Sequence, residues 1–365
     1  VREVKVRLSD GSVMWRTKPI TTTLGTENVV KGDGHIYIPY GATVYVFSDE
    51  DGRHEATVHV SFAEGKEWKA KHNYKYSAIS GPYMFWGNTL NPNGIHDFED
   101  TGLVRFDTRK IDYTKPAEEQ QDILVEVVWT KPGEFRPITS QMLVENGVVY
   151  FLTNENAGNV RTGVSKCYLV ALEAETGRVV WERKLTHTLG VNHPLAINGD
   201  YLHVVDWSPN CYNKHTGETI YETPWVDPYT EKEKISLDAS TSGGITVYDG
   251  KLYYCTGMFY ADPYPRELTK NVVCVDAMSG EYVWGYMIPR QGTLGTVLLV
   301  SRGKAYITTF EGLRVYNAYT GKVLWVDTFV NGSTESIDYA DENMFVFFNA
   351  NTDPYHSTLT AVTMD

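Results

Sequence analysis

The sequence predicts an all-β chain, a seven-bladed β-propeller of four-stranded blades in which an N-terminal strand completes the last blade. Three observations predict it. A phrase made of a strand, a polar turn ending in glycine and a strand closing on an aromatic recurs along the chain. A second strand–turn–strand pattern precedes each copy. The copies follow one another at about the 40–50 residues that a four-stranded blade occupies.

The phrase is clearest where Thr176-Gly177 leads to Trp181, Thr216-Gly217 to Tyr221, Ser279-Gly280 to Trp284 and Thr320-Gly321 to Trp325. Weaker copies lie at Asp10-Gly11, followed by Trp15, and at Asp49 through Gly52. The glycine supplies the positive φ of a tight hairpin. Alternating residues on either side place one row inward and one outward, and the closing aromatic offers a flat surface to the neighbouring blade. The preceding hairpins turn at Gly32-Asp33-Gly34, Asn146-Gly147, Asn198-Gly199, Asp249-Gly250 and Arg302-Gly303. Two hairpins per unit make four strands. The closing aromatics at 181, 221, 284 and 325 are 40, 63 and 41 residues apart, and the long interval holds an insertion at 258–270.

Counted this way, blades fall at 24–62, 73–131, 136–186, 193–225, 238–290 and 294–329, and a seventh starts near 334 and stops short of its fourth strand at Asp365. Residues 12–18 are expected to supply that strand, so that 1–365 reads as a single domain whose closed ring leaves no sheet edge open to aggregation. In the second blade a polar excursion at 110–122 is expected to be helical or a long hairpin. An eighth blade within 57–131 is the alternative count.

Composition bounds the function. A chain of 365 residues with 42% hydrophobic side chains buries about 75% of its unfolded surface and needs no disulfide or metal to fold. The 25 Tyr, 9 Trp and 13 Phe suit pleated sheets; their alternative use is a sugar- or base-stacking surface. A net charge of −13 argues against nucleic acid, whose phosphates require clustered Lys and Arg, and against an anionic membrane surface. No apolar run approaches the roughly 20 residues of a membrane-spanning helix. The chain starts at Val1 without a signal peptide and is expected to be a mature or trimmed product. Its cysteines, Cys167, Cys211, Cys255 and Cys274, form no C-x-x-C pair, which removes the zinc, redox and haem-attachment motifs. Cys255 and Cys274 fall on adjacent strands and could pair, but buried free thiols are the expectation.

The phrase Ala-x-Glu/Asp-x-x-Thr-Gly-x-x-x-Trp, as at 171–181, resembles the tryptophan-docking repeat of the quinoprotein (PQQ-like) propellers. The resemblance spans nearly the whole chain and is strongest from 140 to 329. It implies the propeller fold and three kinds of function: quinone-dependent dehydrogenases, propeller lipoproteins that present loops to partner proteins during outer-membrane assembly, and carbohydrate-active lyases or glycosidases with His, Tyr and Arg on one face. The dehydrogenases use a disulfide between adjacent cysteines over the quinone. This sequence has no Cys-Cys dipeptide, no C-x-x-C-H haem motif, and no Glu–Asn–Asp calcium site that can be placed residue by residue. PQQ is therefore not expected as a cofactor.

Candidate site residues lie on the longest loops, because loops on a rigid scaffold carry function. The loop at 80–97 offers Trp86 as a stacking platform, Asn88 as a polar contact and His96 as a base. The loop at 258–267 offers Tyr260 and Arg266 for a protein or sugar partner. Trp207 follows His203, and Arg161 sits in the polar stretch 153–161. Were His193, His203, Arg161 and Tyr254 to converge, proton abstraction or glycosidic cleavage would become accessible; surface or satisfied core positions are the plainer reading of each. The acidic turn at 48–52 could hold calcium but lacks the other ligands of an oxygen cage. No P-loop or G-x-S-x-G elbow is present, and no metal site is assigned. Asn331-Gly332-Ser333 matches a glycosylation acceptor.

The leading expectation is an extracytoplasmic propeller (secreted, periplasmic or cell-surface) that acts as a protein-binding or structural scaffold without quinone chemistry. The first alternative is a polysaccharide lyase or glycosidase with a His/Tyr/Arg site at the propeller mouth, bringing a polysaccharide partner. The second is a quinoprotein dehydrogenase.

Overall fold

A computed structural model of the chain describes residues 4–7, 12–17, 29–40, 43–61, 77–87, 102–129, 138, 140–155, 166–185, 195–205, 209–222, 245–255, 272–286, 297–309, 312–327, 332–341, 344–351 and 357–363. Among them the fold is all-β, and the one helical element is a 3-10 turn at Thr108–Lys110. The chain divides into two compact units, 1–159 with 165–185, and 160–164 with 186–365.

The first unit opens with an antiparallel hairpin, β1 (Val4–Val6) and β2 (Val13–Arg16). Then come β3 (Val30–Gly32), β4 (His35–Tyr40), β5 (Thr43–Ser48) and β6 (His54–Ser61), each pairing with the next. They are followed by β7 (Ser77–Ser80), β8 (Tyr83–Gly87), β9 (Leu103–Asp107), β10 (Gln120–Leu124) and β11 (Glu126–Trp129). Strands β7, β8, β9 and β11 form the second four-stranded sheet. The third consists of β12 (Leu143–Glu145), β13 (Val148–Glu155), β14 (Lys166–Glu173) and β15 (Val179–Lys184).

The second unit repeats the plan three times. Its sheets are β16 (Leu195–Asn198), β17 (Tyr201–Val205), β18 (Pro209–Asn213), β19 (Thr219–Glu222); β20 (Ile245–Tyr248), β21 (Lys251–Cys255), β22 (Val272–Asp276), β23 (Tyr282–Tyr286); and β24 (Val297–Ser301), β25 (Lys304–Thr309), β26 (Gly312–Asn317), β27 (Val323–Asp327). A three-stranded sheet, β28 (Gly332–Asp341), β29 (Met344–Asn351) and β30 (Ser357–Thr363), ends the chain.

These sheets are covered on both faces. In β14 the consecutive residues Leu169, Val170, Ala171 and Leu172 are all 0% exposed, although alternate side chains point to opposite faces. Both faces of that strand are therefore buried. Between the first two sheets, Tyr37, Val46, Ala56 and Val58 pack with Met84, Trp86, Val104 and Phe106. The first hairpin turns are the two-residue kind: Asn146 and Gly147 have φ of 50° and 76°, as a type I′ turn requires.

Two contacts show why the repeat keeps its glycine and its tryptophan. Gly321 has a φ of +68°, and a Cβ there would lie 2.7 Å from Trp284 Cδ2. Gly52 has a φ of +69°, and its Cβ would meet Trp15 Cε3 at 2.6 Å. Only a residue without a side chain adopts that backbone and admits the ring. Each indole also donates a hydrogen bond to the carbonyl three residues before the glycine: Trp284 Nε1 to Ala318 O at 2.7 Å, Trp15 Nε1 to Asp49 O at 3.1 Å. The weak opening copy of the phrase therefore docks as the strong ones do.

The closing strands share a β-bulge. Cross-strand pairing steps from Trp181 to Val179, from Tyr221 to Thr219, from Trp284 to Tyr282 and from Trp325 to Val323. One residue is skipped each time: Val180, Ile220, Val283 and Leu324. In β6 the pairing steps from Ala56 to His54 and skips Glu55. A bulge re-aims the extra side chain and breaks the ladder locally.

One expectation is corrected. The excursion at 110–122 is neither a helix nor a long hairpin. After the 3-10 turn, which Asp107 caps by accepting from Arg109 N, the chain returns as β10, a parallel fifth strand on β6 pairing Gln120 with Thr57 and Leu124 with Ser61. It thereby covers a ladder edge that would otherwise stand open. The segment at 12–18 contains β2, which pairs with β1.

Candidate functional site

The β6–β10 edge carries a cleft of about 400 Å³ lined by His35, Arg53, His54, Glu55, Tyr113, Lys115 and Ala117. Three segments build it. His35 opens β4. Arg53, His54 and Glu55 form the bulged start of β6. Tyr113, Lys115 and Ala117 belong to the stretch that β10 anchors, and Thr57 ties that stretch down by donating from Oγ1 to Ala117 O at 2.8 Å. Asp112 shapes it locally, accepting from Thr114 N at 3.0 Å.

Glu55 is the centre of the polar network. His35 Nδ1 lies 2.7 Å from its Oε2, and Arg53 Nη2 lies 3.0 Å from its Oε1. A carboxylate only accepts, so Nδ1 carries the proton and Nε2 is the remaining position on the ring. The Glu55 side chain is 15% exposed, against 70% for Arg53, so the carboxylate is held inward and the guanidinium reaches out. The His35 ring stacks on Tyr113 with centroids 4.7 Å apart and planes 8° apart. Burial, and then the neighbouring Tyr37 hydroxyl, push the Tyr113 phenol above the ordinary tyrosine range. His54 is engaged with Ala56 O and Thr57 Oγ1, both at 3.1 Å. Lys115 meets Glu119 at 3.8 Å, with both side chains about half exposed, a contact worth under about 1 kcal/mol.

None of these residues was singled out by sequence reasoning. A signal was available: at the positions where other copies of the phrase carry an aliphatic bulge residue and a closing aromatic, this copy carries Glu55 and Ala56.

The residues that were singled out scatter. Trp86 is 1% exposed and packs edge-on against Phe106 at 6.2 Å; it is a core side chain, not a platform with an open face. His203 is 0% exposed, neither ring nitrogen has a hydrogen-bond partner, and burial lowers its pKa to about 4. It sits in one cross-strand row with Cys211 and Tyr221. Burial pushes the Cys211 thiol up to about 12, and the Tyr221 phenol above its ordinary range with Tyr254 and Asp276 adding to it. Tyr254, 7% exposed, is packed with Val205, Leu252 and Val273. A row so desolvated resists ionisation, so His203 is poorly suited to proton transfer with solvent. Asn88, His96, Arg161, His193, Trp207, Tyr260 and Arg266 lie outside the described residues.

The four cysteines are free and buried, on β14, β18, β21 and β22. In the acidic turn, Asp49 takes Lys31 at 2.6 Å and Lys5 at 3.2 Å, chiefly Lys31 holding its carboxyl below the usual range. Among the described residues no three His, Cys, Asp or Glu side chains gather as a metal would need.

A second feature recurs along the closing strands. The skipped bulge residues Val180, Ile220, Val283 and Leu324 are 38–48% exposed, and Tyr282 and Trp325 beside them are 55% and 43% exposed. Large apolar side chains thus stand in water at one fixed place in each of these four sheets.

Comparison with known proteins fits this geometry. Residues 210–350 match the family model described as outer membrane protein assembly factor BamB. The fold is that of a β-propeller, and residues 210–350 carry the PQQ-like repeat. Among solved structures, this propeller is similar to BamB from Moraxella catarrhalis at 14% identity and a TM-score of 0.57, covering 93% of this chain and 86% of that one. It is similar to a europium-containing methanol dehydrogenase at 13% identity and a TM-score of 0.63, covering 96% and 79%. It is also similar to Sqt1 from Saccharomyces cerevisiae at 12% identity and a TM-score of 0.56, covering 90% and 81%. At these identities the likeness is one of fold. No curated protein matches the sequence.

Proposed function

We propose that this propeller is an extracytoplasmic scaffold that binds a protein partner and uses no quinone. The observation that carries the reading is the row of exposed apolar side chains on the closing strands, at Val180, Ile220, Tyr282, Val283, Leu324 and Trp325. A lone exposed aliphatic residue needs no explanation, but adjacent large apolar residues such as Tyr282 with Val283 and Leu324 with Trp325 suit a protein contact. The match of residues 210–350 to an assembly-factor model supports the same reading, as does the absence, among the described residues, of a helix long and apolar enough to cross a membrane.

A photo-reactive amino acid placed at Val180, Ile220 or Leu324 in the native host tests it. One discrete cross-linked band from these positions, absent from the same probe at Lys115, is expected. Val180→Asp, Ile220→Asp and Leu324→Asp, each folded by circular dichroism, are expected to lose the band. A wild-type protein that yields no discrete adduct and sediments as a monomer in host extract would sink the scaffold reading.

A further inference from the structure

We infer that the β6–β10 cleft is a binding site for a carboxylate group. The inference does not depend on the partner-binding reading and concerns a different face of the molecule's chemistry. The chain carries a net charge of −13, yet this cleft is lined by Arg53, Lys115 and two histidines against one carboxylate, Glu55. That carboxylate is already spent: one oxygen takes His35 Nδ1 at 2.7 Å and the other takes Arg53 at 3.0 Å. Arg53 and Lys115 offer two cationic donors from separate segments, with Glu55 engaged by His35 and Arg53 and with Glu119 3.8 Å from Lys115. Two such donors suit the two oxygens of a carboxylate.

The donors are arranged for it. Arg53 bonds Glu55 through Nη2, and a guanidinium has five N–H donors in a fixed fork. The Lys115 side chain is 44% exposed and meets Glu119 at 3.8 Å, so its ammonium can turn to a ligand at small cost. Tyr113, 41% exposed and stacked on His35, gives the cleft a flat wall for the apolar body that bears the carboxylate. Asp33, in the turn between β3 and β4, is a further carboxylate within electrostatic reach of Tyr113 but does not line the cleft.

The bulge is the second, independent argument. In four other sheets the skipped residue is an exposed aliphatic, which costs the fold nothing. In this sheet it is a 15%-exposed glutamate with two polar partners, His35 and Arg53. Glu55 holds Arg53 and His35 in place, and the edge behind them is closed by a fifth strand that no other sheet among the described residues has. Burying a carboxylate there has a desolvation cost that the repeat avoids elsewhere, and a polar site explains it.

The carboxylate could belong to a small molecule or to an acidic side chain of a protein, and the test separates them. Full-length protein with ¹³C-labelled histidine rings is titrated at constant pH and ionic strength with D-glucuronate, with D-glucose as the uncharged control, and with the capped peptide acetyl-Gly-Glu-Gly-amide. Saturable shifts of the His35 ring signal with glucuronate or the peptide, and none with glucose, are expected. Lys115→Ala and Arg53→Ala, each shown to be folded by circular dichroism, should each weaken binding about fivefold or more. Binding of glucuronate alone assigns a small-molecule source, and binding of the peptide alone assigns a protein source. Equal shifts with glucose, no saturation with either anion, or full affinity in both variants overturns the site.

Discussion

The sheet β3–β6 and the sheet β24–β27 are built on one plan and end differently. In the latter, Gly321 is followed by Lys322, Val323, Leu324 and Trp325. In the former, Gly52 is followed by Arg53, His54, Glu55 and Ala56. The turn glycines share a φ near +68°, both admit an indole from another strand, and both closing strands skip the same position. The backbone is therefore indifferent to what stands on that bulge. One sheet uses it for an exposed leucine and the other for a buried ion network, roofed by an added parallel strand. Chemistry in this molecule collects at positions the repeat does not need.

The comparison can be broken at its shared part first. Trp284→Ala removes an indole that is 7% exposed and its 2.7 Å hydrogen bond to Ala318 O. The expected loss is about 3–5 kcal/mol, read by urea unfolding under circular dichroism. Trp15→Ala should cost less, because Trp15 is only half-buried; equal losses would mean that docking strength does not follow burial.

A pH series sharpens the contrast between a satisfied and an unsatisfied polar site. His203 has a pKa of about 4 in the folded protein, against about 6.5 unfolded. Its folded-state pKa is depressed, so the unfolded chain takes up a proton first as the solution is acidified. Its full contribution is present above about pH 6.5 and is lost progressively down to about pH 4, by about 3 kcal/mol in all. His203→Phe is expected to flatten that window of the stability profile.

Gly321→Ala and Gly52→Ala place a Cβ against Trp284 and Trp15 at a left-handed backbone. Each should cost about 2 kcal/mol, and melting temperatures should fall by similar amounts. A neutral outcome at Gly52 alone would separate the opening copy of the phrase from the rest.

The smallest effects lie at the bulge. Leu324→Gln is expected to shift stability by under about 0.5 kcal/mol, as an exposed substitution does. Glu55→Ala leaves His35 without its acceptor and should cost about 1 kcal/mol. If the two were equal, the network in β6 would contribute nothing to the fold.

Much of the fold was legible in the sequence, because a turn glycine, a period-two strand and a closing aromatic act locally and repeat. The Asn146-Gly147 and Asp249-Gly250 turns and the four-stranded units at 136–186, 193–225, 238–290 and 294–329 could be read from such signals. Local signals could not reveal that 110–122 returns to the preceding sheet, since a parallel strand bonds to residues some 60 positions away. Nor could they show which histidine is buried: His203 and His35 both sit in or beside alternating apolar strands, and one is sealed between sheets while the other faces a cleft. Trp86 was misjudged for the same reason, its loop context suggesting exposure that the neighbouring sheet denies.

By itself the sequence determined the repeat, the turns and the acidic balance, all of which follow from short-range sterics and composition. Only the tertiary structure decided that Glu55 would meet His35, Arg53 and the Tyr113 segment, because that meeting requires a bulge, a neighbouring strand and a distant return of the chain. Side-chain chemistry depends on what lies across a few ångströms of space, and sequence separation does not encode that distance.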